Sequence, residues 1–557
     1  MAEYDIKIIN GKVLDPDRMK FIVKDLFINN GKLVSSDQVS NLHPKTTIDA
    51  TGKVIVPGYI DSHVHIESSL VTPSELGKLL LKHGVTTIFA DPHEIANVIG
   101  KDGIKYMITD SRKTPLDIFY MLPSSVPCVP FDHNGATLTA NSLHEFYQYP
   151  EVKGLAEVMD YPAVASGEND IMAKIKDAKQ HHLSVDGHTA GFNDQQLAVY
   201  EKAGIQTDHE STTPQEIKER LRHGFKIFLR EGTVERDLKS TLPAMKEEDP
   251  VNFSFCTDDK LISDLVDEGS IDDNIQLALG AGVKPELAYT MASFNAAKAH
   301  QLSQVGKLQP GFKADLNILN DVNNPTPVQV IKNGQIVTEN HSHPTPFTEN
   351  TVHAEFKSNQ LRLPLTTGKA HVLGIKPNHI DTKHLILNIP PTDNFQSDPS
   401  QDILKIVVVE RHHNLGTVGV GLVQGFKIKH GAIATTIAHD DHNIVAVGTS
   451  DHDIEQAINN LITAGGGISV VNKQQTLSTL ALPVAGLMSD KDYRTVAKET
   501  KQIYRDYKQI AAPIDFDPFI TLSFLTLPVI PTLKMTDQGL YDFNQQQFIN
   551  VNASSHM

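Results

Sequence analysis

Short apolar runs that end in polar residues alternate with helix-like stretches through residues 55–300, and this alternation limits the possible folds more than any other feature. The strand-like runs are VIVPGYIDSHVHI, VTTIFAD, GLAEVMD, LSVDGHT, GIQTDHE and VNFSFCTDD, with helix-like stretches such as PSELGKLLLKHG and DIMAKIKDAKQH between them. Strand and helix in alternation indicate βα units and a parallel sheet. In a (β/α)8 barrel the chemistry lies where strands end and loops begin, so each polar run end is a candidate site position.

Two small β segments flank this central region. Asn-Gly pairs within strand-like sequence occur in three places: Asn10-Gly11, Asn30-Gly31 and Asn333-Gly334. Because Asn-Gly is the strongest short signal for a β-hairpin, the sequence predicts a hairpin at each pair. The most economical arrangement joins residues 1–55 and 301–345 in one small composite β domain beside the central region.

The chain has 557 residues, more than one hydrophobic core usually serves, so further domains are expected. The polar stretch ENHSHPTPFTENT predicts a linker. Residues 346–557 follow, with strand-like runs and one clear helix, HDIEQAINNLITAGGG. No Lys-Ser/Thr pair follows Gly465–Gly467, so these glycines indicate a helix C-cap and turn rather than a phosphate loop.

Charge and composition disfavour several partners and compartments. The net charge is −17 and no basic patch stands out, which disfavours binding to nucleic acid. No run of about 18 apolar residues predicts a membrane span, and MAEYDIKIING lacks the pattern of a secretion signal. Cys128 and Cys256 are too few for a disulfide framework. We therefore expect a cytoplasmic protein without membrane or nucleic-acid partners.

His63 and His65 lie two residues apart in PGYIDSHVHIESS. On a strand both imidazoles project from the same face, so at a strand end both can reach one metal. An isolated His-x-His pair more often has no metal-binding role than serves as a pair of ligands. Here four more ligand-type residues follow at successive strand ends, namely Glu157, His188, His209 and Asp258. Each of these alone would favour a hydrogen-bonded loop residue, but together the six positions favour a metal site.

The order His-x-His, Glu, His, His, Asp resembles the amidohydrolase superfamily, whose barrels hold one or two divalent metals. GKLQPGFKADLNIL is similar to the segment that returns the chain from the barrel to a composite β-sandwich in many members. The likeness narrows to the bacterial adenine deaminases through PGYIDSHVHIESSLVTPSEL, ADPHEIANV, GLAEVMDYP, DGHTAG, DHE and MASFNAAKAHQL. ERHHNLGTVGVG and AHDDHNIVAVG extend the likeness into the C-terminal part, so it covers nearly the whole chain.

This resemblance implies an α/β fold in three parts. They are a (β/α)8 barrel of the amidohydrolase type over 56–300, a composite β-sandwich domain from 1–55 plus 301–345, and an additional C-terminal α+β domain over 346–557. It also implies hydrolytic deamination of adenine to hypoxanthine and ammonia, a reaction of purine salvage. Such barrels commonly form homo-oligomers, so a dimer is expected.

Carried over onto this sequence, the resemblance assigns ligands for two divalent metals: His63, His65 and Asp258 for one, His188 and His209 for the other. Glu157 would bridge them, where many relatives use a carbamylated lysine. The ligand types suit Mn²⁺, Fe²⁺ or Zn²⁺, and the resemblance favours manganese or iron.

The expected chemistry is attack of a metal-activated hydroxide on C6 of adenine, since a suitable metal lowers the pKa of water from 15.7 to about 7. Asp258 is expected to take a proton from the water, beside the bridging Glu157. Asp91 in ADPHE is predicted to be catalytic, although it could instead cap the following helix. His93 and Asp259 are predicted to contact substrate, and Asp259 could equally cap the next turn.

Two other functions stay open. One is a different cyclic amidohydrolase, similar to dihydroorotase or hydantoinase, although those usually have the bridging lysine that is missing here. The other is a non-catalytic amidohydrolase-like interaction protein, which would have lost metal ligands. The C-terminal histidines are expected to be surface or structural residues, with a lid over the barrel mouth or an additional metal site as alternatives: His412, His413, His439 and His442.

Overall fold

The computed structural model describes residues 2–246, 249–339 and 341–554. The chain begins with short strands that enter two sheets: β1 Glu3–Ile9, β2 Lys12–Asp15, β3 Lys20–Val23, β4 Leu26–Asn29, β5 Lys32–Val34, β6 His43–Asp49 and β7 Val54–Pro57. One sheet has the order β5-β4-β1-β6, whereas β7, β2 and β3 belong to another.

The predicted hairpin at Asn10-Gly11 is wrong, because β1 and β2 lie in different sheets. Asn10 has a φ of 66°, in the left-handed region. A Cβ atom on Gly11 would lie 2.4 Å from Ile55 Cδ1, so only glycine fits this close approach. The pair turns the chain from one sheet into the other.

The central region forms a parallel barrel. Its strands are β8 Tyr59–Val64, β9 Val85–Ala90, β10 Asp117–Leu122, β11 Val152–Val158, β12 Ser184–Gly187, β13 Thr207–Asp208, β14 Lys226–Arg230 and β15 Phe253–Cys256. The helices around them are α1 Pro73–Leu80, α2 His93–Ser111, α3 Ala140–Leu143, α4 Tyr161–Ser166, α5 Asn169–Gln180, α6 Asp194–Ala203, α7 Pro214–Arg222, α8 Leu238–Thr241, α9 Ile262–Asp267, α10 Ile271–Gly280, α11 Pro285–Thr290 and α12 Ala296–Ala299. The strands pair in the orders β12-β11-β10-β9-β8 and β13-β14-β15.

Local contacts join these two groups of strands. At the end of β15, the Asp258 N–H donates to the His63 carbonyl at 3.0 Å, and the Asp258 carbonyl accepts from the His65 N–H at 3.2 Å. On the other side, the Gly187 N–H donates to the Thr207 hydroxyl at 3.0 Å. The predicted α/β fold with a (β/α)8 barrel is confirmed, although the sequence analysis did not identify β10 or β14.

Three later strands return to the N-terminal sheet: β16 Leu316–Leu319, β17 Gln329–Lys332 and β18 Gln335–Ile336. They complete a sheet of order β18-β17-β16-β7-β2-β3, in which β16 pairs antiparallel with β7. The hairpins predicted at Asn30-Gly31 and Asn333-Gly334 are confirmed, since β4 pairs with β5 and β17 with β18. The two sheets share a hydrophobic core that includes Ile8, Ile28 and Leu316.

The C-terminal part mixes strands and helices. They are β19 Lys369–Ile375, β20 Thr382–Asn388, β21 Ile403–Val409, β22 Val418–Gln424, β23 Ala432–Thr435, β24 Ile444–Gly448, α13 Asp451–Ala464, β25 Gly467–Asn472, β26 Gln475–Ala481, α14 Tyr493–Ile510, α15 Pro518–Phe524, β27 Leu533–Thr536, β28 Gly539–Asp542 and β29 Gln547–Ile549. The main sheet has the order β20-β19-β22-β21-β24-β23-β25-β26. Gly465 caps α13 with a φ of 73°, as predicted. Residues 341–351 of the predicted linker contain no helix or strand, and Asn340 lies outside the described residues.

This C-terminal part packs against the mouth of the barrel. The Ser489 N–H donates to the Leu70 carbonyl at 2.8 Å, and His413 Nε2 lies 3.0 Å from the Asn134 carbonyl. One hydrophobic cluster includes both Ile66 of the barrel and Leu487 of the C-terminal part. The exact division of the chain into three domains stays a prediction. Among the described residues, no helix has the length and apolar character to cross a membrane.

Candidate metal centre and active site

The side chains predicted as metal ligands meet at the C-terminal ends of the barrel strands. All are buried except His188, which is partly exposed. Parallel barrel strands direct these ends to one face, which is why residues far apart in sequence converge. We name these residues the barrel cluster: His63, His65, Glu157, His188, His209 and Asp258.

Two imidazoles and one carboxylate form the first half of the barrel cluster. Asp258 Oδ1 lies 3.3 Å from His63 Nε2 and 3.1 Å from His65 Nε2, and the two nitrogens are 3.1 Å apart. His65 Nδ1 faces the Asp91 carbonyl at 3.2 Å. Because a carbonyl only accepts, Nδ1 donates to it, and Nε2 is the ring nitrogen that a metal can use in place of a proton.

Glu157 connects this half to the second. Its Oε2 lies 3.0 Å from His188 Nδ1 and 3.1 Å from His209 Nε2, whereas Oε1 faces His65 Nε2 at 3.7 Å. The two oxygens of one carboxylate therefore face different imidazole groups. With these donors, the barrel cluster can hold divalent metal ions.

Both carboxylates of the barrel cluster are held ionised. Burial opposes the charge of Glu157, but hydrogen bonds from His188 and His209 outweigh it and keep its pKa well below the usual range. Burial also opposes the charge of Asp258, but His63 and His65 lower its pKa well below the usual range. Buried anions need compensating positive charge, which bound cations would supply.

Arg230, at the end of β14, is a residue that the sequence analysis missed. Its Nη1 donates to Glu210 Oε1 at 2.5 Å and to Asp258 Oδ2 at 2.9 Å. Glu210 in turn lies 3.2 Å from His209 Nε2, so Arg230 connects the two halves of the barrel cluster. The rule that identified the ligands could also have identified Arg230, because KIFLR is an apolar run with a polar end like those that carry the ligands.

Asp91 and His93 form a pair beside the barrel cluster. Asp91 Oδ1 accepts from the His93 backbone N–H at 3.0 Å, and Asp91 Oδ2 lies 3.0 Å from His93 Nδ1. Asp91 therefore supports the start of α2 and also orients His93, whose Nδ1 is 3.7 Å from Glu157 Oε1. Asp259 accepts a hydrogen bond from the Ser68 hydroxyl at 2.5 Å. Their predicted catalytic and substrate-binding roles stay predictions.

Glu94 reaches from the barrel into the C-terminal part. Its Oε1 lies 2.8 Å from His439 Nδ1, and its Oε2 contacts His442 Nε2. Burial favours the neutral form of His439, but the negative charge of Glu94 has the larger effect and raises the pKa of His439 to about 9. Burial lowers the pKa of His442 to about 4. We name Glu94, His439 and His442 the interdomain triad. Because Glu94 is far from the two histidines in sequence, their contact could not be predicted from the sequence.

The other two C-terminal histidines contact backbone. His412 Nε2 lies 2.6 Å from the Asp441 carbonyl, and His413 contacts Asn134 as described above. These contacts agree with the structural role favoured by the sequence for both residues.

A buried cavity lies between the barrel cluster and the C-terminal part. One side includes Glu157, His188 and Asp258, together with Glu235, whose pKa burial raises to about 8. Asp440 lies on the C-terminal side, and burial raises its pKa to about 6. Apolar residues close that side, and we name them the roof: Ile380, Phe524, Leu527, Val529 and Ile530.

Comparison with known families agrees with the barrel fold. The family model described as "Amidohydrolase family" matches residues 54–337, so the barrel is that of an amidohydrolase. The model described as "Adenine deaminase C-terminal domain" matches residues 379–547.

Full-length relatives narrow the class further. An adenine deaminase of Lactiplantibacillus plantarum is 53% identical over 548 residues, covering 98% of this chain and 97% of that protein. Adenine deaminase 1 of Oenococcus oeni is 50% identical, with coverage of 98% and 99%. An adenine deaminase of Listeria monocytogenes is 47% identical, with coverage of 99% and 96%. The chain belongs to the adenine deaminase family.

Proposed function

We propose that the chain hydrolyses adenine to hypoxanthine and ammonia. Water adds at C6, the bond between C6 and the exocyclic nitrogen breaks, and ammonia leaves with the protons that balance the reaction. The observation that carries this proposal is Glu157, whose two oxygens face two different imidazole groups beside a cavity at the barrel mouth. The names of the full-length relatives supply the substrate.

The cofactor is proposed to be a pair of divalent ions, Mn²⁺ or Fe²⁺, with Zn²⁺ also chemically suitable. The proposed ligands are His63, His65 and Asp258 for one ion and His188 and His209 for the other, with Glu157 shared between them. When bound, such ions lower the pKa of water enough to supply hydroxide near neutral pH.

The protein groups around the cavity divide the proton transfers. Asp258 is proposed to accept the proton that the attacking water loses, and Arg230 holds its second oxygen in place. Ring N1 must gain a proton as C6 accepts the nucleophile. Glu235 is suited to donate it, because burial raises its pKa to about 8 and leaves it protonated at neutral pH. Asp91 orients His93, which we place with Asp259 among the substrate contacts.

Neither alternative function is favoured by a specific observation. The bridging position is filled by Glu157, not by the lysine typical of dihydroorotase-like enzymes. A non-catalytic interaction protein would not be expected to keep all six ligand-type residues of the barrel cluster together at the barrel mouth.

We also propose a homodimer in the cytoplasm, acting in purine salvage. The two cysteines, Cys128 and Cys256, are free and buried, which suits a reducing compartment. Light scattering after size-exclusion chromatography tests the dimer, which a monomeric mass would contradict.

The direct test reconstitutes the purified protein with Mn²⁺ or Fe²⁺ and adds adenine. Ammonia release and the ultraviolet change from adenine to hypoxanthine should appear together and in equal amounts. If adenine survives while a cyclic amide or another aminopurine is consumed, the assigned substrate is wrong.

A further inference from the structure

The C-terminal part supplies one wall of the cavity in which the proposed reaction takes place. The roof is apolar throughout, and Leu527 and Ile530 also pack against Cys128 of the barrel. A flat heteroaromatic base gains free energy when it is buried against such a surface. Any polar group on this wall therefore has a large effect on which base is accepted.

One loop of this wall, residues 438–443, is fixed from several sides. The Glu94 carboxylate contacts His439 and His442. The Arg411 guanidinium donates to the His442 carbonyl, and the Asn443 side chain donates to the His133 carbonyl at 3.1 Å. A loop held by this many buried contacts keeps its side chains in one geometry, as a selective binding site requires.

Asp440 lies in the middle of this loop and lines the cavity. Its residue is 3% exposed, and its Oδ1 lies 3.8 Å from His93 Nε2. Its Oδ2 is buried and has no hydrogen-bond donor within the described part of the chain. A buried carboxylate oxygen without a donor is costly, so the geometry calls for a donor from the bound molecule.

We propose that Asp440 is a specificity-determining residue that accepts a hydrogen bond from the ring N–H of a free purine base. This assignment rests on the proposed function. Free adenine carries one ring N–H, on N9 or on N7 according to its tautomer. A nucleoside has sugar at N9 and no ring N–H, so it would leave Asp440 without a partner in a closed site. Sites built around a hydrogen bond reject analogues that lack the donor far more strongly than apolar pockets reject a shape change.

The neighbouring Asp441 provides a matched control. It lies in the same loop and is also buried, but its two oxygens accept hydrogen bonds from the backbone and side chain of Asn443 at 3.1 Å and 3.0 Å. It does not line the cavity. The two adjacent aspartates therefore differ in whether the protein already satisfies them.

The test compares adenine with 9-methyladenine, a probe that has the same amino group but no ring N–H. Both should be assayed on reconstituted wild-type protein and on Asp440→Ala, Asp440→Asn and Asp441→Asn. Asp440→Ala should lower kcat/KM for adenine by about 10- to 100-fold, the loss expected for a hydrogen bond to a charged group. Its kcat/KM for 9-methyladenine should change less than about threefold, so the ratio between the two substrates collapses.

Asp440→Asn keeps the shape and one acceptor oxygen, so its ratio of kcat/KM for adenine to kcat/KM for 9-methyladenine should lie between those of wild type and Asp440→Ala. Asp441→Asn should keep the wild-type ratio. If 9-methyladenine turns over too slowly, inhibition constants for hypoxanthine and 9-methylhypoxanthine give the same comparison. An equal loss for both members of either pair, with metal content unchanged, would mean a merely structural role and would overturn the assignment. Wild-type protein that does not deaminate adenine would instead overturn the proposed function.

Discussion

The barrel cluster and the interdomain triad are built from the same residue types and differ in what surrounds them. Each contains a buried carboxylate with an imidazole at each of its oxygens, Glu157 in one and Glu94 in the other. Inspection of ligand-type atoms alone would place a metal in both. Their chemistry is decided by the hydrogen bonds on the far side of the imidazole rings.

His65 and His442 show the difference. His65 Nδ1 faces the Asp91 carbonyl, so it must donate, and Nε2 is the nitrogen left for a metal to bind in place of a proton. His442 Nδ1 accepts from the Ala438 backbone N–H at 3.3 Å, so its single proton lies on Nε2 and points to Glu94. The triad therefore joins the barrel to the C-terminal part through buried contacts between Glu94 and two imidazoles, whereas His65 in the barrel cluster turns Nε2 toward the proposed metal position.

The largest effect is expected from Glu157→Gln in the barrel cluster. This change removes the charge that both halves share, so kcat/KM for adenine should fall by more than about 100-fold, beyond the effect of an outer-shell change. Bound metal, measured by plasma mass spectrometry, should fall below two ions per chain. Glu151→Gln, just before the same strand β11, is the control and should keep both the wild-type kcat/KM and two bound ions per chain. Full activity with two ions retained would remove the bridging role of Glu157.

Arg230→Met should produce the next largest effect. It leaves the buried carboxylates of Glu210 and Asp258 without their shared cation, which costs about 3–5 kcal/mol of unfolding free energy in comparable buried pairs. Activity should fall by about 10- to 100-fold, as for other residues that orient ligands. Urea unfolding and steady-state kinetics measure both, with the exposed Arg222→Met as control. Unchanged kinetics would show that Asp258 does not depend on Arg230.

His442→Ala separates the triad from the barrel cluster. We expect a loss of about 1–3 kcal/mol in unfolding free energy, because Glu94 loses a buried donor. Activity should fall by no more than about tenfold, and two ions per chain should remain. His442→Gln, which keeps an N–H donor, should recover part of the stability. Loss of one bound ion in His442→Ala would make the triad a metal site and would contradict the comparison.

The smallest effect on activity is expected at the roof, where a change alters stability alone. Lys534 donates to the carbonyls of Ile380 and Phe524, both at 2.7 Å, and burial lowers its pKa from 10.5 to about 7. At pH values between these two pKa values, Lys534 is protonated in the unfolded chain but neutral in the folded protein. The free energy of unfolding therefore rises as the pH increases above about 7, and this increase is lost as the pH falls back to 7. The slope approaches about 1.4 kcal/mol per pH unit.

Urea unfolding at several pH values between 7 and 9.5 measures this slope. Lys534→Met should unfold with a smaller increase in stability with pH than wild type. Identical slopes in the two proteins would mean that Lys534 keeps its ordinary pKa in the fold.

The sequence predicts the barrel and its cluster well because both depend on local patterns. His63 lies at the end of β8 and His65 follows directly after it, and each later ligand ends an apolar run. Arg230 obeys the same rule and could have been found by it. The Asn10-Gly11 pair fails as a hairpin because β2 pairs with the distant strand β7 instead of β1, a choice that no local pattern records.

The interdomain triad and the role of Asp440 could not be predicted from local sequence patterns. Glu94 and His442 are separated by most of the barrel and much of the C-terminal part, and their contact depends on how these two parts pack. The sequence favoured surface or structural roles for the C-terminal histidines, with a lid or a metal site as alternatives. The hydrogen bond from Ala438 to His442, visible in three dimensions, supplies that choice.

Anomalous diffraction from crystals of the Mn²⁺-reconstituted protein tests the central comparison most directly. Two anomalous peaks should lie in the barrel cluster, one beside His63, His65 and Asp258 and one beside His188 and His209. No peak should lie within the interdomain triad. A peak between Glu94 and His442, or a barrel cluster without bound manganese, would contradict this account.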